Sequence, residues 1–397
     1  MIMNDTRKTV LDLTSIALFA NDISIPENTD WNAVFNEVKN QNIVSLLYPV
    51  IENRNIPDNI LNNWKKLRDQ YLLNNARNIT CHISIHQLMN KANIPYVILK
   101  GVASGVYYPN YLLRGYGDVD FLVNKDDFQK TSDTLITNNY LHIEDSKKHR
   151  VFKKDNLIYE LHDHVFRNAD NKLNNILYEF FSDIIDKAVP FKHNDSICMI
   201  PSDRHNAVIL LLHTAQHIAE SGIGLRHLLD WAVFVNNMDN TFFQDIKPTL
   251  KKIGIWKLCC ILTALCTKYI GLKEFEWAKD IDDKYLEDLM NDIFKSGEFG
   301  TIYKNNTNRN HTESLNNYKS DDVAKSLFEI INRKARKLTL IKKIPALLPV
   351  GWLYISCRYL FNTIAGKRTI KGAIDIMERS AEKKQILQEW HLFEKEE

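Results

Sequence analysis

Apolar positions recur every three or four residues through roughly the first ninety residues of the chain. TRKTVLDLTSIALFA, WNAVFNEVKNQNIVSLLYPVIEN and LNNWKKLRDQYLLNNARNITCHISIHQLMNKAN all carry this spacing, which predicts amphipathic helices. Thr29-Asp30-Trp31 offers an N-cap for the second. From Ile94 the period changes. PYVILK, DVDFLV, YLHIE, HRVFKK, LIYELH and SICMI are short β-rich runs separated by polar breaks. One helix is expected from Asp126 to Asn138 and another directly after Gly101. Strands alternating with helices predict a mixed sheet with helices packed on it. After Pro201-Ser202-Asp203 the helical period returns in RHNAVILLLHTAQHIA, LRHLLDWAVFVNNM and WKLCCILTALCTKYIG. KNNTNRNHTESLNNYKSDD is too poor in apolar residues for a packed element and reads as an exposed or disordered loop. The expected division is a helical region over 1–92, an α/β core over 93–200, a helical domain over 201–330 and C-terminal basic and amphipathic helices over 331–397.

Composition narrows the class only a little. The 397 residues are 45% hydrophobic and 25% charged, as in ordinary globular proteins. A formal net charge of +2 gives no general attraction to polyanions, so any such contact would be a local patch. Cys81, Cys198, Cys259, Cys260, Cys266 and Cys357 form no CxxC pair, which reads as reduced buried thiols. MIMNDTRKTVLDL lacks a charged-then-apolar leader, so a cytoplasmic location is expected. Ile344 to Gly366 approaches the length of a membrane span but is broken by Pro345, Pro349 and Arg358. It reads as a packed helix pair or as a surface-lying helix making peripheral contact with anionic lipid, and no integral span is expected.

The candidate chemistry begins in DVDFLV. Alternation puts Val119, Phe121 and Val123 on one strand face and Asp118 and Asp120 on the other. Two carboxylates so placed repel each other unless a cation sits between them, and together they can hold Mg²⁺. The alternative is a solvated strand end. Upstream, YVILKG is a buried-type strand ending at Gly101, where the backbone can approach a phosphate closely. Lys100 and Arg114 add two cations nearby, or are solvated surface charges. In LIYELH, Ile158, Glu160 and His162 share one face, so Glu160 can join the same cleft as ligand or base, or form a strand-face salt bridge. His162 and His164 form an HxH pair without a nearby cysteine, and zinc is not expected there. His213 and His217 lie one helical turn apart, but Thr214 replaces the Glu of a metalloprotease motif. Arg226 and Asp230 have i,i+4 spacing and are expected to pair.

Taken in order, LKG, RxxGDxDxLV and YELH resemble the nucleotidyltransferase superfamily of the DNA polymerase β type, in particular a bacterial branch with this pattern. A helical LxxHxxxH followed by LRxLLD extends the likeness, which spans roughly residues 25 to 250. The resemblance implies an α+β fold: a polymerase β-like core of mixed sheet and flanking helices, with N-terminal helices and a C-terminal helical domain. It also implies that Gly101 is the phosphate-side turn, that Asp118 and Asp120 are metal ligands and that Glu160 is the third acid. The superfamily's usual Gly-Ser or Gly-Gly turn is absent, and Lys100 is expected to substitute for the missing Ser. His162, His213, His217 and Arg226 are expected around the nucleotide, the last three on the far wall of its cleft; a purely structural role for His213, His217, Arg226 and Asp230 is the other reading.

The implied activity is Mg²⁺-dependent (or Mn²⁺-dependent) transfer of a nucleoside monophosphate from a nucleoside triphosphate to a hydroxyl or phosphate acceptor. Two ions about 4 Å apart are the usual arrangement for such chemistry. Two alternatives stay open: a non-catalytic nucleotide- or partner-binding member of the fold, and an enzyme acting on RNA ends. Near-neutral charge speaks against a large nucleic-acid footprint, while NRKARKLTLIKK leaves a local basic patch.

Overall fold

The computed structural model describes residues 4–145, 149–166, 171–220 and 222–297, with short pieces beyond residue 331. Asn4 caps α1 (Asp5–Phe19) by accepting from the Arg7 amide at 2.9 Å. Asp30 caps α2 (Trp31–Asn40) through the Asn32 and Ala33 amides, so the cap expected at Thr29-Asp30-Trp31 forms. The apolar run continues past this helix, but the chain breaks at Asn42, which adopts φ 56°, and resumes as α3 (Val44–Ile51). Asn tolerates the left-handed region better than most residues. α4 (Asp58–Ala92) then runs 35 residues without glycine or proline, a rod about 50 Å long.

The sheet follows: β1 (Tyr96–Ile98), α5 (Val102–Gly105), β2 (Val119–Val123), α6 (Phe128–Thr137), β3 (Leu141–Asp145), β4 (Arg150–Lys154) and β5 (Leu157–His162). Its spatial order is β1-β2-β5-β4-β3. Only β2 with β5 is parallel; the other pairs are antiparallel. A parallel neighbour requires a crossover, and α6 with the β3–β4 hairpin supplies it. The remainder is α7 (Asn171–Phe180), a separate ribbon of β6 (Val189–His193) with β7 (Ser196–Ile200), then α8 (Asp203–Glu220), α9 (Leu225–Asn237), α10 (Asn240–Ile253), α11 (Trp256–Ile270) and α12 (Asp283–Ser296). The fold is α+β, a mixed sheet flanked by helices at both ends of the chain.

Strand alternation sorts two cores. Val119, Phe121 and Val123 join Tyr159, Leu161 and Ile98 in a cluster beneath α4. Leu122, Val97 and Leu99 point the other way, into a larger cluster that also holds α1–α3 and α8–α12. Asp120 and Glu160 lie on this second side, because they share the parity of Leu122.

α4 holds the chain that leads into β2. The Asn75 amide donates to the Leu112 carbonyl at 2.8 Å and its carbonyl accepts from the Tyr116 amide at 3.2 Å. The Asn78 amide donates to the Gly117 carbonyl. His82, fully buried, bonds the Asn78 carbonyl through Nδ1 at 2.8 Å. Its Nε2 abuts Gly101, whose φ is 63°, and a Cβ at that position would lie 2.5 Å away. Both the backbone angle and the contact require glycine there. From the other side, Asp230 of α9 grips Arg114 with both carboxylate oxygens, Nε to Oδ1 and Nη2 to Oδ2, each at 2.7 Å. The Arg114 and Asp230 side chains are 5% and 9% exposed.

Among the described residues no helix is long and apolar enough to cross a membrane. The loop expected at 304–322 and most of the apolar segment 344–366 lie outside the described residues.

Asp230→Ala leaves a buried guanidinium without its partner, which costs about 3–5 kcal/mol. Urea unfolding reads that loss, and a change below about 1 kcal/mol contradicts the assigned role. Burial lowers the His82 imidazole to about 4, despite its bond to the Asn78 carbonyl. Its folded-state pKa therefore lies below its unfolded value, and stability falls as the pH drops through that window. Between pH 7 and 5 the wild type should lose about 2 kcal/mol more than His82→Leu. Equal pH slopes in urea unfolding would exclude it.

Candidate active site

β2 and β5 are in parallel register with Asp120 opposite Glu160. Paired residues on adjacent strands project to the same face, so the two carboxylates stand side by side. Asp118, just before β2, lines the mouth with part of its surface open to solvent, whereas Asp120 is 5% exposed. All three line a cavity of about 380 Å³, within the range of small-molecule sites. Lys100, Gly101 and Ser104 form its wall on the β1 side. Ile209, Leu210, His213 and His217 from α8 and Arg226 and His227 from α9 form the opposite wall. A smaller adjoining space shares Lys100, Glu160, His213 and His217 and adds His149, His162 and His164.

Charge in the cavity is unevenly matched. Lys100 Nζ donates to Asp120 Oδ1 at 2.8 Å, and His162 Nε2 lies 3.2 Å from the same oxygen. Burial alone would raise the Asp120 carboxyl, but the Lys100 ammonium and the His162 ring outweigh it and hold it below the usual range. Burial likewise works against charge on Lys100, and Asp120, Glu160 and Asp118 overcome it and raise its pKa. His162 is raised too: burial opposes its charge, and bonds to Asp120 and Glu160 reverse the balance. Glu160 Oε2 is 3.5 Å from His162 Nε2 and 3.5 Å from His149 Nδ1. Asp118 has no comparable relief. Loss of hydration, then Asp120 and Glu160, push its carboxyl up to about 6. Lys100 and Arg226 both act to lower Asp118, but they do not offset that rise.

Hard carboxylate oxygens from three acids converging on one cavity fit a divalent cation such as Mg²⁺. The histidine wall is different in character. Burial, with Lys100 and the neighbouring rings adding to it, lowers His213 and His227 well below the ordinary imidazole range.

Most residues expected at the site meet there: Lys100, Gly101, Asp118, Asp120, Glu160, His213, His217 and Arg226 line one cavity, and His162 touches Asp120. His164 lies beside the smaller space and bonds its neighbour Asp163. Arg114 lines the same cavity. It is not a solvated surface charge: its guanidinium is buried and held by Asp230 and the Gly115 carbonyl. The pairing expected between Arg226 and Asp230 is revised accordingly: Asp230 spends both oxygens on Arg114 and accepts from Tyr108 Oη at 2.9 Å. Arg226 donates Nη1 to the Gly115 carbonyl at 2.9 Å.

Sequence reading missed His227, His149 and His82. His227 follows Arg226 inside LRHLLD, and only the packing of α9 on α8 brings it to His213 and His217. His149 sits just before β4, whose Arg150 pairs with Leu161. Extending that register would have placed it near His162. His82 had a signal of another kind, an imidazole among the apolar positions of a long helix.

No curated protein matches the chain. Residues 27–271 match the family described as uncharacterised nucleotidyltransferase. With carboxylates, glycine turn and helical wall assembled around one cavity, and with that match covering more than half its length, the chain belongs to this nucleotidyltransferase family.

Proposed function

We propose that the protein is a Mg²⁺-dependent enzyme that moves a nucleoside monophosphate from a nucleoside triphosphate to a hydroxyl or phosphate acceptor. Mn²⁺ would serve in the same oxygen-rich setting. The observation that carries this reading is the in-register placement of Asp120 beside Glu160, with Asp118 at the mouth of the same cavity. Asp118, Asp120 and Glu160 would hold the metal, which when bound offsets phosphate charge and polarises the reacting phosphoryl group.

The chain's own residues account for the remaining tasks. Gly101 has no side chain to keep a phosphate from the backbone. Lys100 and Arg226 flank the carboxylates and oppose the triphosphate's charge. Glu160, part-exposed and next to two imidazoles, can take a proton from an acceptor hydroxyl. The acceptor oxygen forms a bond to the α-phosphorus, the bond to the bridging oxygen breaks, and pyrophosphate leaves with that electron pair. The apolar side chains of Ile209 and Leu210 exclude water from one side of the cavity.

The test supplies each of the four nucleoside triphosphates with Mg²⁺ and a heat-treated small-molecule extract as the source of acceptor. Pyrophosphate release is then compared between wild type and the Asp118→Asn/Asp120→Asn double variant. The expected loss is at least about 100-fold, the scale seen when charge stabilisation of a transition state is removed, with the thermal unfolding temperature not lowered. Glu160→Gln should lower turnover more than it weakens nucleotide binding. A double variant that keeps wild-type turnover, or orthophosphate as the released product, overturns the reading.

A further inference from the structure

The histidine wall has a geometry that nucleotide binding does not require. His213 and His217 are one turn apart on α8, and their Nε2 atoms face each other at 3.0 Å. His227 arrives from α9, stacked on the His213 ring at 5.4 Å between centroids and tilted at 4.9 Å from the His217 ring. One ring nitrogen from each of the three lies within 4.8 Å of the others. Two nitrogens bound to one tetrahedral ion at 2.0–2.1 Å would lie about 3.3 Å apart. The His213–His217 separation is close to that value, so the pair needs little movement to share an ion.

From this convergence we infer that His213, His217 and His227 form a transition-metal site of the Zn²⁺ class, distinct from the carboxylate site. Imidazole nitrogen selects borderline ions such as zinc, whereas carboxylate oxygens select magnesium and manganese. The two walls of one cavity therefore sort two kinds of cation. Three protein ligands leave a tetrahedral ion one open position. All three histidines line the cavity, so that position faces the enclosed space and is available to water or to an oxygen of whatever occupies it.

The other imidazole cluster is weaker as a separate site. His149, Glu160 and His162 also converge, but His162 is tied to Asp120 and Glu160 to His162, so both belong to the carboxylate arrangement. The tri-histidine site does not depend on the nucleotidyl-transfer reading. It rests on two helices and three rings.

The experiment uses the full chain stripped with a chelator and then titrated with Zn²⁺ against a chromophoric chelator. Tight uptake of one equivalent is expected, and X-ray absorption of that sample should report three histidine nitrogens on the ion. His213→Ala and His217→Ala should each weaken Zn²⁺ binding by about 100-fold or more, beyond the effect of losing a supporting outer contact. Asp118→Asn should leave it unchanged while impairing Mg²⁺-dependent turnover. The absorption measurement on wild type decides the ligand set even if a histidine variant fails to fold. An oxygen-dominated ligand shell, absence of Zn²⁺ binding, or binding lost in Glu160→Gln but kept in His213→Ala overturns the inference. Such failures leave the pyrophosphate assay of the carboxylate site unaffected.

Discussion

The bidentate pair between Arg114 and Asp230 ties the chain entering β2 to the buried helix α9, and both walls of the cavity depend on that tie. α9 is buried from Leu225 to Val235, yet it carries Arg226, His227 and Asp230. Burying charges costs several kcal/mol each unless they are paired with good geometry. Asp230 meets that demand by holding Arg114 and accepting from Tyr108. With the loop before β2 fixed by α9 above and by Asn75 and Asn78 of α4 below, Asp118 and Asp120 face α8 and α9 across a defined gap.

Within that frame the cavity is divided by charge. Lys100 and His162 converge on one oxygen of Asp120, so that carboxylate is charged in the folded protein. Asp118 stands outside that arrangement and its carboxyl is raised to about 6. The three carboxylates give that side of the cavity an oxygen-rich donor set that suits a hard divalent cation. The facing imidazoles supply neutral nitrogen in place of charge, and the two walls differ in the partners they can accept.

Much of this was legible before folding, because short-range rules govern it. Period-two alternation put Asp118 and Asp120 opposite Val119, Phe121 and Val123, and the LKG junction located Gly101. Glu160 was legible by its parity with His162, although only the parallel pairing of β5 with β2 sets it beside Asp120. Arg114 was legible as a cation near the turn, but its buried partner was not, because a lone arginine looks the same in sequence whether or not an acid holds it. Its partner Asp230 is 116 residues away. His227 was hidden for the same reason, since helix–helix packing carries no local sequence period. The ribbon strand Val189–His193 contains Pro190, a residue that weakens any strand signal and suits an edge.

The proposed function requires Asp118, Asp120 and Glu160 to bind a nucleoside triphosphate through a shared divalent cation. Thermal unfolding of the full chain with each of the four nucleoside triphosphates, with and without Mg²⁺, tests it most directly. A ligand that binds only the folded state raises the unfolding temperature by mass action. Stabilisation by at least one nucleotide is expected only when Mg²⁺ is present, with its disappearance in the Asp118→Asn/Asp120→Asn double variant. Equal stabilisation without the metal, or full stabilisation in that variant, would contradict it.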